Sequence, residues 1–400
     1  SATAPMRSPS SCRAVLPETW REGGFGLYVH WPFCEAKCPY CDFNSHVVRH
    51  VDQSRWAAAL AAEIRRYGQM TDGRLLNSIY FGGGTPSLMT PDTVRSVLDA
   101  AREHWTWAND IEITLEANPH SVEARKFEGF REAGVNRVSM GIQSLRADDL
   151  RKLGRLHDVD EARAALGVAR SVFDRVNFDL IYAREGQSLP DWTQELHEAL
   201  EMAGDHLSLY QLTIEEGTVF WERAQRGQLK RLPDEDLAAD MFLATQEITA
   251  AAGFPAYEVS NHAAAGAQSR HNLVYWRGGD YVGVGPGAHG RVTLGGIRHA
   301  TEAWKMPGAW IERAEAGTGD QHVTPLAADE ILTEFVMMGL RLTEGLSLSR
   351  AAEIAPGFPD PRSLTDLRDL ALVWTEDDRI GTSLQGRLVL NAVIAKLLAD

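Results

Sequence analysis

The chain has 400 residues, 44% of them hydrophobic and 24% charged, with a formal net charge of −15 at pH 7. That is a globular balance, long enough for more than one domain, and its acidic excess argues against nucleic acid as a main partner, because phosphate binding needs a basic face. No apolar run approaches a membrane span and the N-terminus lacks a basic-then-apolar signal, so a soluble chain in a reducing, cytoplasmic compartment is expected.

Residues 1–19 are rich in Ser, Pro and Ala and read as a mobile tail, with Cys12 a bystander thiol inside it. Strand patterns then fall at 27–30, 78–81, 112–116, 137–141, 177–181 and 206–212. Amphipathic helical stretches lie between them at 54–67, 91–104, 122–133, 160–173 and 192–202. Thr90 and Ser121 stand where helix N-caps belong. Alternation of this kind predicts parallel strands in β/α units. Six units fall short of the eight in a closed barrel, so the expected fold class is α/β with a partial six-unit barrel over 20–255. A mixed segment over 256–322, holding an HNxxYW and a GPGAH motif, is expected to pack on that barrel. Residues 323–400 read as a helix-rich, winged-helix-like module, its clearest helices at 329–342 and 386–398. Leu390, Val393, Ile394 and Leu397 mark one face of the last helix.

The most informative local feature is Cys34-x-x-x-Cys38-x-x-Cys41, directly after the first strand. Three thiolates cannot complete a four-iron cluster, which takes one cysteine per iron, so one iron would stay open to a small molecule. Two other readings compete. Cys38-Pro39-Tyr40-Cys41 alone is a dithiol redox motif, but that leaves Cys34 idle. A zinc ion could take the three thiolates with His30 or His46, although no second CxxC knuckle exists.

Other polar groups cluster at predicted strand ends, where a parallel β/α barrel builds its site. Gly82-Gly83-Gly84-Thr85-Pro86 follows the second strand, and its backbone amides could approach a ligand closely. Glu116 ends the third strand, where it could accept hydrogen bonds from a ribose or simply face the next helix. Gln143 lies at the rim of the fourth. Asp179, an acid inside an apolar strand, needs a partner, and Arg155 is a candidate for that role or for a carboxylate clamp. Farther on, His271 and Tyr275 of His271-Asn272-Leu273-Val274-Tyr275-Trp276 share one face if helical. Both are possible haem-iron ligands, though the residues alone favour a partly buried histidine. His289 ends a glycine-rich run that either packs beside the cysteine loop or forms a tight turn.

Together these residues resemble the radical S-adenosylmethionine superfamily, in its coproporphyrinogen dehydrogenase (HemN)-like branch, and within that branch the haem-chaperone (HemW) members. The resemblance runs from Tyr28 to about His289 and again over the C-terminal module. It implies a [4Fe–4S] cluster on Cys34, Cys38 and Cys41. It also implies S-adenosylmethionine held by Tyr28, Tyr40, Gly83, Gly84, Thr85, Glu116, Gln143, Arg155 and Asp179. The decarboxylases of the branch carry a further cysteine two positions after the third ligand; here that position is Phe43, which puts their reaction in doubt. The HNxxYW motif, associated with haem in the chaperone members, makes His271 the leading haem ligand, with Tyr275 and His289 as second choices. The function expected is haem binding and delivery, with haem and acceptor haemoproteins, membrane-associated respiratory ones included, as partners. The rival is oxygen-independent coproporphyrinogen III dehydrogenase, and radical modification of tRNA is disfavoured by the acidic balance.

Overall fold

The computed structural model describes residues 20–399. The expected tail and Cys12 lie outside them, and the side chain of Ser121 is likewise not described. Six parallel strands stand side by side in chain order: β1 (Phe25–Trp31), β2 (Leu75–Gly83), β3 (Thr106–Ala117), β4 (Arg137–Gln143), β5 (Arg175–Tyr182) and β6 (His206–Gln211). They match the six predicted strands, with β3 starting well before its expected position. Strands covered on both faces read as near-continuous apolar runs, and in β1 every residue but Tyr28 is buried.

Helices α1 (Gln53–Met70), α2 (Pro91–His104), α3 (Phe127–Ala133), α4 (Val159–Val172) and α5 (Leu189–Met202) return the chain between strands. Thr90 caps α2 as expected, accepting from Thr93 N at 3.2 Å. The helix expected over 122–133 is broken; a single turn, Ser121–Ala124, precedes α3. Another helix, α6 (Glu235–Ala251), was not expected. Its buried positions include Thr245 and Thr249, so the face it buries carries little apolar periodicity, and Trp192 Nε1 donates to Thr245 Oγ1 at 2.8 Å.

The segment after the barrel continues the sheet. Short β7 (Asn261–Ala263) pairs antiparallel with β6 at one edge. Helix α7 (Arg270–Trp276) leads into β8 (Asp280–Val284), which joins the far side of β1 in parallel. Thus Tyr281 to Val284, expected in a loop, form a seventh parallel strand. β9 (His289–Leu294), β10 (Ile297–Ala303) and β11 (Asp320–Pro325) complete an eleven-stranded sheet in antiparallel fashion. Asp280, fully buried, pins this extension by pairing with Arg74 and Arg298, each at 2.8 Å. Gly285, at φ +108°, lets the β8–β9 turn lie on β1: a Cβ there would stand 2.2 Å from the carbonyl oxygen of His30. On the outer face Trp56 stacks on Trp310 at 5.4 Å and meets Phe33 edge-on at 5.0 Å. Burying each such ring contributes about 2–3 kcal/mol.

The C-terminal module has its own core of Phe335, Val336, Leu340, Ile380, Val393 and Leu397. Helices α8 (Ala328–Gly339), α9 (Leu348–Ile354) and α10 (Pro361–Asp369) surround a three-stranded antiparallel wing of β12 (Leu346–Ser347), β13 (Val373–Glu376) and β14 (Arg379–Thr382). The expected helix 386–398 is divided at Val389 into α11 (Leu384–Leu388) and α12 (Leu390–Leu398).

Candidate functional site

The carboxyl ends of β1 to β6 open into a cavity of about 680 Å³. Cys34, Cys38 and Cys41 all line it, on the loop that leaves β1, and none forms a disulfide. The loop is held from several sides. Gly84 N donates to Trp31 O at 2.7 Å and Thr85 N to Phe33 O at 2.8 Å. A Cβ on Gly84 would lie 2.6 Å from the Phe33 oxygen, so glycine is required for this approach. Thr85 Oγ1 donates to Cys34 Sγ at 3.5 Å, and Arg155 Nη1 to Cys38 Sγ at 3.4 Å. Tyr40 packs on Phe220 with ring centroids 6.3 Å apart, and Phe220 N donates to Pro39 O at 2.9 Å. Burial raises the Cys34 and Cys41 thiols above their usual range, and the Arg155 charge and the Thr85 hydroxyl oppose this at Cys34.

The expected polar groups converge on the same cavity. Gly83, Gly84, Thr85, Glu116, Gln143, Arg155 and Asp179 all line it, with Tyr40. Burial lifts the Glu116 carboxyl to about 7, against the hydrogen bond from Tyr80 Oη at 2.7 Å; the nearby Asp179 charge lifts it further. Burial likewise lifts Asp179 to about 6, with Ser208 and Ser139 pulling the other way. Gln143 reaches the rim through backbone strain. Its φ is +73°, at a register irregularity between β4 and β5. Arg155 departs from its expected role as ion-pair partner of Asp179. Its Nη2 instead donates to Asn118 Oδ1 at 2.6 Å and Gly141 O at 2.8 Å, while Asp179 is met by the Ser139 hydroxyl at 3.4 Å and by Ser208. Tyr28 does not line this cavity; its hydroxyl meets His30 Nδ1 at 3.0 Å on the other side of β2's glycines.

Among the described residues, no three His, Cys, Asp or Glu side chains, the three cysteines included, gather closely enough to hold a metal ion. His30 has both ring nitrogens engaged, Nε2 meeting Asn44 O at 2.9 Å. A donor set of three thiols with no fourth protein ligand instead fits a cluster with one open iron. Arg155 Nε is buried with no hydrogen-bond partner among the described residues, a donor suited to a carboxylate entering the cavity.

Asn118 and Arg341 were missed. Asn118 follows the named Glu116, and its amide bridges Thr85 and Arg155. Arg341, from the C-terminal module, lines the cavity, donates to the fully buried Glu258 at 3.1 Å, and covers the Trp276 ring at 4.6 Å. Nothing local in the sequence links it to the barrel.

A second chamber of about 520 Å³ adjoins the first, and Asp42, Phe43, Gly83 and Glu116 line both. Tyr28, Tyr275, Tyr281, His289 and Lys305 form its remaining side-chain wall with His30 and Asn44. The HNxxYW motif forms α7, but His271 reaches neither space. It is 2% exposed, its Nδ1 meets Ser78 Oγ and its Nε2 meets Tyr275 Oη, both at 2.9 Å, and burial lowers its pKa to about 3.

Comparison with known proteins agrees with this geometry. The family profile of the radical SAM superfamily matches residues 28–199, and that of the HemN C-terminal domain matches 326–389. A Mycobacterium tuberculosis protein named "Heme chaperone HemW" is 38% identical, over 94% of this chain and 95% of its own. The Escherichia coli protein of that name is 43% identical over 67% of this chain and 70% of its own. A mitochondrial "Radical S-adenosyl methionine domain-containing protein 1" of Bos taurus is 38% identical, covering 93% and 87%. The solved structure of Escherichia coli coproporphyrinogen III oxidase (HemN) shares the fold, with a TM-score of 0.77 and 24% identity over 93% of this chain and 89% of that one. With a partial parallel barrel, three thiols at its mouth and near full-length relatives, the chain belongs to the radical S-adenosylmethionine superfamily, in the HemN-like branch that includes the proteins named heme chaperone HemW.

Proposed function

We propose that this protein binds haem and passes it to acceptor haemoproteins, on a scaffold that holds a [4Fe–4S] cluster and S-adenosylmethionine. The observation that carries the reading is similarity, over nearly the whole chain, to a relative named for haem chaperoning. Phe43 adds to it: this apolar side chain, 57% exposed, stands between the two chambers where the decarboxylases of the resemblance carry a cysteine.

In this reading Cys34, Cys38 and Cys41 hold the cluster, and S-adenosylmethionine lies across the strand ends. Gly83, Gly84 and Thr85 would cradle its methionine end, with the unpartnered Nε of Arg155 placed to meet the carboxylate. Glu116 accepts from the ribose hydroxyls, while Tyr40, Gln143 and Asp179 complete the surround. When bound together, cluster and cofactor would supply one-electron radical chemistry. The protein's own part is to bind, orient and enclose. No described helix is long and apolar enough to cross a membrane, and a reducing, cytoplasmic setting suits thiolate ligation.

The test is anaerobic reconstitution of the full chain with haem and S-adenosylmethionine, scored for transfer to apo-haemoproteins and for deoxyadenosine release. We expect haem transfer without conversion of coproporphyrinogen III to protoporphyrinogen IX. Conversion without transfer would establish the dehydrogenase instead.

A further inference from the structure

We propose that haem sits in the second chamber with His289 as its axial ligand and Lys305 paired with a propionate, and that His271 acts only as a positioning residue. This rests on the haem-binding reading above and names the seat of that cargo. Three observations carry it. First, His271 cannot present a nitrogen to iron as it stands: both are hydrogen-bonded, and its ring stacks on Tyr80 at 4.9 Å and lies 6.3 Å from Tyr28. What His271 does reach is Tyr275, whose hydroxyl it holds at 2.9 Å and whose ring packs against Tyr281 at 4.2 Å. Both tyrosines face the second chamber. The motif therefore braces a wall.

Second, His289 is exposed and lines that chamber, its ring in no hydrogen bond among the described residues. Third, the chamber suits a flat amphipathic macrocycle. Its volume falls in the range of roughly 300–1,000 Å³ typical of cofactor sites. Phe43, Tyr28, Tyr275 and Tyr281 supply aromatic surface. Lys305, 65% exposed and 3.3 Å from Glu302, supplies a cation at the rim, with Asp42 the opposing charge. The shared wall of Gly83 and Glu116 places this seat directly beside the cluster cavity.

The experiment is haemin titration of the full chain, followed by Soret absorbance and resonance Raman of the iron–ligand stretch, for wild type, His289→Ala, His271→Gln and Lys305→Glu. We expect His289→Ala to lose the histidine–iron signature and to regain it with added imidazole, which can enter an open chamber. His271→Gln should weaken binding by about tenfold, as supporting residues around a ligand do, and keep the signature. Lys305→Glu should weaken it about threefold with the signature unchanged. Retention of the signature in His289→Ala would overturn the assignment, as would its loss in a folded His271→Gln protein while His289→Ala keeps it. Circular dichroism reports the folding. Absence of any stoichiometric Soret band in the wild type would instead defeat the haem-binding reading on which the assignment rests.

Discussion

Glu116 and Asp179 are acids whose proton affinity burial raises, so their consequences are felt in pH. In the unfolded chain they would ionise near 4.5 and 3.8, whereas in the folded one they do so near 7 and 6. Between those values the unfolded state sheds protons that the folded state keeps, so raising the pH lowers stability. We predict that the ligand-free protein loses about 2 kcal/mol through Glu116 between pH 5 and 8, allowing for solvent reaching the cavity, and that Glu116→Gln removes this loss. Denaturant unfolding across pH measures it. Ribose hydroxyls donate to the ionised form, so nucleoside affinity in the wild type should rise from pH 6 to 8 and stay flat in Glu116→Gln; calorimetry decides. Cys38→Ser should abolish the iron–sulfur absorption after anaerobic reconstitution, since two thiols cannot replace three; full iron and sulfide content would refute the cluster. At this scale much was legible. The three cysteines sit within eight residues on one loop, and Glu116, Gln143 and Asp179 sit at strand ends, so short-range position forecast convergence. The partner of Arg155 was not legible, because Asn118 acquires its role only when β3 and β4 stand side by side.

The elements were readable where burial is one-sided and periodic. The parallel strands and α1, α2, α4 and α5 announce themselves through apolar spacing and caps. α6 did not, because it buries threonines, and β8 was hidden inside a glycine-rich run whose strand character depends on pairing with β1. The join between barrel and extension hangs on Asp280 between two arginines, a buried cluster in which removing one partner strands the others. Asp280→Ala should therefore cost about 3–5 kcal/mol, seen as a large drop in Tm. A drop below about 1 kcal/mol would show that β8 is held mainly by its ladder to β1.

The whole molecule is one eleven-stranded sheet wrapped by helices, with a winged module reaching back over the cavity through Arg341. Its net charge of −15 opposes binding to a polyanion, and we predict no retention of tRNA at about 0.15 M salt in filter binding. Tight binding there would reopen the RNA-modifying alternative. What the sequence determined by itself was chemistry set by local spacing: three thiols, a glycine cradle, and the strand ends that carry acids. These survive translation into structure because neighbours in the chain stay neighbours in a loop. What only tertiary structure decided was which histidine can reach a ligand. His271 and His289 look alike as letters in two short motifs of the chain. Long-range packing seals the first between Ser78, Tyr80 and Tyr275 and leaves the second open at a chamber, since solvent exposure is a property of the assembled sheet.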